Sequence, residues 1–515
     1  MKLRLIIALF VVGMVLGGGG GVARGAGGAV GGGEGWRGKV EAGVWEATLD
    51  GKGEFLIYMA AQADLEDTVW LETKEEKGAY VYRRLTQVAE ETQPAVIEVL
   101  KKSGAQYRSF WIANMIWVKG EAGLVVALAQ RPDVSGVYAN PKLAFDGPVE
   151  ELDLNGEQRA QALQVIEGNL LKVNADEVWA QGYSGQGAVI GGQDTGYDWD
   201  HPALKEKYRG WNGDSTEHNY SWHDAIHEDD AKTAPGNPCG FDLNEPCDDD
   251  GHGTHTMGIM VGDDGASNQI GMAPMAEWIG CRNMEEGYGT PATYTECYQW
   301  FVAPTDLAGN NPRPDLAPDV INNSWGCPPI EGCTEPEVLR QVVENVRAAG
   351  IMTVHSAGNQ GQFCGSVNTP AAIYEASFTV GNVTLGDEIA LTSSIGPVTA
   401  DGSGRLKPDI TAPGTSIRSS IPGDTYGNKS GTSMAGPHVA GLAALLISAK
   451  PELSGDVDKI ERLIRQSAVP LITNLNCGGT AGEVPNNVYG WGRIDALGAI
   501  MRLFQDKEIY LPVVY

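Results

Sequence analysis

The chain has 515 residues, enough for one large domain and a smaller one, and its 42% hydrophobic and 20% charged residues are the balance of a globular protein. A formal charge of −29 and an isoelectric point near 4.6 exclude the basic face that nucleic-acid binding requires. These numbers support a soluble, acidic protein.

Residues 1–16 carry Lys2 and Arg4 and then an unbroken apolar run, too short to span a bilayer with ease. This reads as a secretory signal peptide, assigned to 1–26, with Ala23 and Ala26 as small residues at a cleavage site. An uncleaved anchor is the alternative, but no Cys stands near this end to take a lipid, and no later stretch reads as a membrane helix, so no stable membrane anchor is expected. A Gly-rich linker covers 27–52. All eight cysteines lie between Cys239 and Cys477. An even count in an exported chain predicts disulfides. Closeness in sequence pairs Cys239 with Cys247, Cys281 with Cys297 and Cys327 with Cys333, leaving Cys364 with Cys477; none of the spacings is a zinc pattern.

Residues 53–146 form a small domain of their own. Residues 54–59 read as a strand, 85–103 as a helix with Val88, Val96, Val99 and Leu100 at helical spacing, and 106–118 as two strands rich in aromatic and β-branched residues. A helix over 121–130, stopped by Pro132, and a strand over 134–138 complete the order strand, helix, strand, strand, helix, strand, the ferredoxin-like arrangement. Residues 147–168 turn polar and acidic and read as an inter-domain linker.

From 169 to 505 short apolar runs alternate with helical stretches. Residues 188–193, 319–322, 351–355 and 377–381 read as strands, and 336–349 as a helix with Val338, Leu339, Val342, Val343 and Val346 on one face and Gly350 as its stop. That alternation predicts an α/β fold, a parallel sheet flanked by helices, whose reacting groups collect at the carboxyl ends of strands. In Gly431-Thr-Ser-Met-Ala-Gly-Pro-His438 a Ser stands at the mouth of an apolar helix running to about Ser448. Pro437 belongs in a first turn, so the helix is expected to begin just after Ser433. Apolar on every side, it belongs in the core, and Gly436 and Gly441 let another backbone come close. Residues 506–515 form a tail.

Three residues suit one chemistry. Asp194 ends a strand in Gly-Gly-Gln-Asp-Thr-Gly, and His252 follows in Asp-Gly-His-Gly-Thr-His. Ser433 completes the set. A hydroxyl is a poor nucleophile until a His takes its proton, and a buried carboxylate can hold that His in the right tautomer. Taken singly, Asp194 could be a helix cap. His252 and His255, three apart, could hold a metal, yet His-Glu-x-x-His and a third ligand are absent.

Together, Asp-Thr-Gly around Asp194, Gly-His-Gly-Thr-His around His252 and Gly-Thr-Ser-Met-Ala-Gly-Pro-His around Ser433, in that chain order, resemble the signature motifs of the subtilase family of serine proteases. The resemblance implies a secreted serine endopeptidase with an Asp194–His252–Ser433 triad. It implies an oxyanion donor at Asn359, in Ser-Ala-Gly-Asn, and a specificity pocket edged by Ser324, Trp325, Gly326, Ala357 and Gly358. By rough alignment Asn368 stands at the pocket floor. The segments 201–210, 317–326 and 413–422 are most similar to bacillopeptidase F-type enzymes. Residues 53–146 then look like the family's propeptide, an intramolecular inhibitor and folding aid cut away between Gly147 and Asn169.

The resemblance implies polypeptide substrates, a monomer, no nucleic-acid partner and no cofactor for the chemistry. In many subtilisins an Asp directly after His-Pro binds structural calcium. Here Ala203 stands there, and the loop over 265–274 is short, so calcium is not placed; Asp248, Asp249 and Asp250 read as a solvated loop. An inactive relative with a binding role would be expected to have lost a triad member or the oxyanion Asn, and all four positions are filled. A narrow processing protease is the other alternative.

Overall fold

The structure, a computed structural model, describes residues 35–144, 149–150, 166–229, 232–233, 235–475, 477–480 and 482–505, with 149–150 as backbone only. The signal peptide, most of the 147–168 linker with its cut site, and the tail lie outside the described residues.

The small domain comprises α1 (Ala42–Ala47), β1 (Gly53–Met59), α2 (Lys74–Thr92), α3 (Pro94–Ser103), β2 (Gln106–Phe110), β3 (Met115–Gly120), α4 (Ala122–Ala129) and β4 (Val134–Ala139). Its sheet has the order β2-β3-β1-β4 and is antiparallel throughout. This is the expected ferredoxin-like arrangement, with two differences. The helix expected over 85–103 is two helices, because Pro94 cannot donate within a helix and opens a new one at its first position. The domain also reaches back into the stretch read as a Gly-rich linker, since Val44 of α1 packs among Ile57, Val96 and Val137.

β1 is buried on both faces, which is why it reads as an unbroken apolar run. Phe55, Ile57 and Met59 face α3 and α4, whereas Leu56 and Tyr58 join a core shared with the larger domain. That junction is also polar. Gln299 Oε1 accepts from the backbone N–H of Trp111 (2.7 Å) and Ile112 (3.2 Å), Lys74 Nζ pairs with buried Asp319 at 2.6 Å, and Arg108 pairs with Glu296 at 2.7 Å.

Two short strands follow, β5 (Leu143–Ala144) and β6 (Val149–Glu150). The larger domain then contains α5 (Gly168–Lys172), α6 (Ala175–Trp179), β7 (Val189–Asp194), β8 (Trp222–Asp224), α7 (His252–Val261), β9 (Glu277–Arg282), β10 (Met284–Glu285), β11 (Tyr288–Gly289) and α8 (Pro291–Val302). β12 (Val320–Asn323), α9 (Arg340–Ala348), β13 (Met352–Ser356), β14 (Phe378–Val383), β15 (Ile410–Pro413), β16 (Ile417–Ile421), β17 (Thr425–Ser430), α10 (Thr432–Ala449), α11 (Val457–Ser467) and α12 (Ala496–Gln505) complete it. Its seven-stranded parallel sheet runs β15-β14-β13-β12-β7-β9-β8.

α10 has the length and apolarity to cross a membrane, contrary to the expectation that no later stretch would, but 89% of it is buried inside the fold. It begins at Thr432, so Ser433 lies within its first turn and Pro437 within its second. Pro437 leaves the Ser433 carbonyl without its intrahelical donor, and Ser324 Oγ donates to that oxygen instead, at 3.0 Å. Gly436 and Gly441 answer to close packing. A Cβ at Gly436 would stand 3.1 Å from Asn322 Oδ1, and one at Gly441 2.4 Å from Met272 Cβ.

The four disulfides are Cys239–Cys247, Cys281–Cys297, Cys327–Cys333 and Cys364–Cys477, the pairing that closeness in sequence predicts.

Candidate active site

Three neighbouring strands deliver the site residues at their carboxyl ends. Asp194 is the last residue of β7, Ser324 follows β12, and Asn359 comes three residues after β13. His252 opens α7, and α7 packs against α10, which carries Ser433. α7 also lies close to the end of β7, because Gly253 has no side chain: a Cβ there would lie 2.0 Å from the Gly196 carbonyl oxygen and 3.1 Å from Asp194 Cβ.

His252 Nδ1 lies 2.7 Å from Asp194 Oδ1, with both side chains essentially inaccessible. Asp194 Oδ1 also accepts from the Thr195 amide (2.8 Å) and Oδ2 from Thr256 Oγ1 (3.3 Å). Three accepted hydrogen bonds hold the carboxylate in place, and it orients the imidazole in turn.

Ser433 shares a cleft of about 360 Å³ with Ser324, Trp325, Gly326, Pro328, Ser356, Gly358, Asn359, Gln360, Thr369 and Thr432. Asn359 Oδ1 accepts from Thr432 N (2.9 Å) and Thr432 Oγ1 (3.0 Å), which sets the amide's orientation. Ala357 is fully buried behind the cleft and does not line it. Asn368 does not line it either; its Nδ2 donates to Gln360 Oε1 at 3.0 Å, so it reaches the cleft through Gln360. Trp325 stacks on Tyr294 with ring centroids 3.8 Å apart.

The sequence reading missed Asp248, taken there as part of a solvated loop. Its Oδ1 accepts from Thr195 Oγ1 and Gly251 N (both 2.8 Å), and its Oδ2 from Thr254 N (2.8 Å) and Thr254 Oγ1 (2.5 Å). It therefore ties the turn after Asp194 to the first turn of α7. Asp249 is a scaffold group as well, pushed up to about 7 by burial against the pull of Asn237 and Arg282. Arg282 makes a bidentate pair with Asp224, both bonds 2.9 Å.

His255 is structural, its Nε2 lying 3.1 Å from the carbonyls of Ile417 and Gly427. His438 is likewise held on both sides, Nδ1 at 2.8 Å from the Met434 carbonyl and Nε2 at 2.8 Å from Asn169 Nδ2. Burial pushes His438 down to about 4 and His255 to about 3. A histidine depressed in the folded state leaves stability intact above its ordinary value of 6.5. As pH falls below that, the unfolded chain takes up a proton the folded chain refuses, and stability is lost. The loss by pH 5 is about 2 kcal/mol per histidine. Melting of Ser433→Ala protein, which cannot digest itself on the reading proposed below, is expected to drop between pH 6.5 and 5. His438→Gln should make that decline shallower, and equal slopes would contradict the assignment.

Among the described residues no group of three or more His, Cys, Asp or Glu side chains could hold a metal ion. At the place where the resemblance would put calcium, the residues do not fit a cation. Ala203 offers no oxygen from its side chain, and Arg418 lies there, paired with Glu167 (2.8 Å) and donating to Asn268 Oδ1 (2.7 Å). Lys207 Nζ donates to the Asp263 carbonyl.

The sequence model of the Subtilase family matches residues 185–492. The chain is 38% identical to Bacillopeptidase F of Bacillus subtilis (strain 168) over 83% of its own length and 29% of that protein's. It is 30% identical to Subtilisin NAT of Bacillus subtilis subsp. natto over 56% of this chain and 62% of that one. For Subtilisin DY of Bacillus licheniformis the figures are 32%, 56% and 88%. The chain thus spans less than a third of Bacillopeptidase F. A matched region that takes in Asp194, His252, Asn359 and Ser433, together with these relatives, establishes that the chain belongs to the subtilase family.

Proposed function

We propose that the chain is a secreted serine endopeptidase, made as a precursor and acting on polypeptides as a monomer. The observation that carries the reading is the buried 2.7 Å contact of His252 Nδ1 with Asp194, on a helix packed against the one that bears Ser433. Ser433 Oγ attacks the peptide carbonyl while His252 Nε2 takes its proton, and Asp194 stabilises the imidazolium that forms. The Asn359 amide and the Ser433 N–H receive the developing oxyanion, helped by the positive end of α10. His252 then returns the proton to the leaving amine, and water releases the acyl group by the same steps in reverse. No cofactor enters this chemistry.

Two short strands, β5 at the end of the propeptide and β6 in the linker after it, together the end of the leader that precedes the larger domain, support the role of the propeptide as an intramolecular inhibitor. β5 pairs antiparallel with β11, and β6 pairs antiparallel with the last two residues of β17, three residues before Ser433. The same stretch of chain thus adds one strand to β11 and another to β17, the way an extended peptide binds a sheet edge. Export is supported by the N-terminal apolar run and four disulfides.

Mass spectrometry of the purified chain tests the precursor reading. Wild-type protein is expected to lose its leader at a bond between Gly147 and Asn169, and Ser433→Ala protein to stay uncut. Equal processing of both would overturn it.

A further inference from the structure

β17 carries one buried cation toward the catalytic serine. Lys429 is its penultimate residue, four before Ser433, and its side chain is 6% exposed. It stands out in a region, 169–505, that has 42 Asp and Glu against 19 Lys and Arg. A lysine is seldom buried unless anionic charge faces it. The groups its charge acts on lie around the triad. Desolvation pushes the Asp250 carboxyl up, while His252 and Lys429 pull it back. Burial depresses His255, and the charges of Lys429 and His252 depress it further.

The backbone at Lys429 is also where the leader lies. Glu150 is its register partner and Val149 that of Ser430, whereas Leu143 and Ala144 pair with Gly289 and Tyr288 on β11. A polypeptide following the leader's course pairs first with β11 and then with the end of β17, three residues before Ser433, so on the protease reading above the residues along β17 are those after the cleaved bond. From that point the leader's own sequence is acidic, with Glu150, Glu151 and Asp153.

We propose that Lys429 makes this enzyme select substrates with an acidic side chain within the first three residues after the cleaved bond. The inference rests on the protease reading above and deepens it. A substrate carboxylate beside Lys429 meets a partly desolvated ammonium whose charge Asp250 already draws on, so it competes with Asp250 for that charge. A substrate lysine there would set two cations side by side with little water between them. The domain's overall negative field works the other way at long range and is screened by salt, so the local preference is read best at physiological ionic strength.

The test uses internally quenched peptides that differ only in carrying Glu, Gln or Lys at one of the first three positions after the cleaved bond. Active sites are counted by fluorophosphonate labelling, so that poorly folding variants are normalised. At one of these positions kcat/KM for Glu is expected to exceed that for Lys by about tenfold. Lys429→Gln should bring the ratio near unity, Lys429→Glu should invert it, and Asp250→Asn, which removes the competitor, should enlarge it. Wild-type enzyme that labels and cleaves but shows no Glu-over-Lys preference at any position overturns this inference alone, as does a preference that survives Lys429→Gln. Absence of labelling overturns the protease reading and this inference with it.

Discussion

Ser433→Ala is expected to lower turnover about 10⁶-fold, the loss recorded for the corresponding serine of subtilisin. The size of the effect follows from what the hydroxyl alone supplies. Without Oγ no acyl-enzyme can form, and neither the His252–Asp194 pair nor the oxyanion donors have a nucleophile to serve. KM should change little, because the cleft walls formed by Ser324, Gly326 and Gly358 are untouched. The fold should be nearly unaffected as well. Ser433 Oγ makes one long hydrogen bond, 3.4 Å to the Ser324 carbonyl, whereas the bond that anchors this turn of α10 goes to the backbone oxygen of Ser433 and survives the substitution. Casein hydrolysis by purified wild-type and variant protein, at matched concentration, measures the ratio. A variant within tenfold of wild type would remove Ser433 from the reaction.

Asn359→Ala is expected to reduce kcat about 10²- to 10³-fold, or 3–4 kcal/mol, again by the measure of subtilisin, with KM nearly constant. On the proposed mechanism the effect is large because Asn359 is oriented beforehand. Two hydrogen bonds from Thr432 hold Oδ1, so the amide nitrogen is set before substrate arrives and nothing need reorganise as charge develops. Thr432→Val removes one of those two bonds and should cost kcat less than Asn359→Ala does. A fall confined to KM in either variant would mean that Asn359 binds substrate without stabilising the oxyanion.

The site was legible in the sequence where its chemistry is carried by short contiguous runs. Asp194 closes a strand, Asn359 lies in a loop and His252 and Ser433 lie in first turns of helices, each within two residues of a glycine, and the structure brings Asp194 onto His252 and sets Asn359 and Ser433 on one cleft. Asp248 was not legible, because its role exists only after Thr195 and Thr254, from separate motifs, have folded onto it. Four strands of the parallel sheet, β7, β12, β13 and β14, followed from apolar runs, but β8, β9 and β15 did not. Trp222–Asp224 is too short to show a period, and Glu277–Arg282 ends in a fully buried arginine whose partner, Asp224, lies on that same neighbouring strand. β17 is polar along its length, and its strand character comes from pairing with β16 and the leader. The expected helix start at Ser433 was one turn's logic too strict. Proline was assumed to need a first turn, yet Ser324, distant in sequence, satisfies the carbonyl that Pro437 leaves open.

Activation of Ser433 by His252 and Asp194 is the step on which the proposed function stands. Its most direct test is labelling of the processed protein with a fluorophosphonate, followed by peptide mass spectrometry to find the adduct. A single adduct is expected on the peptide containing Ser433, formed rapidly in wild-type protein and suppressed in His252→Ala. No adduct in correctly folded wild-type protein, an adduct on another serine, or undiminished labelling after His252→Ala would contradict it.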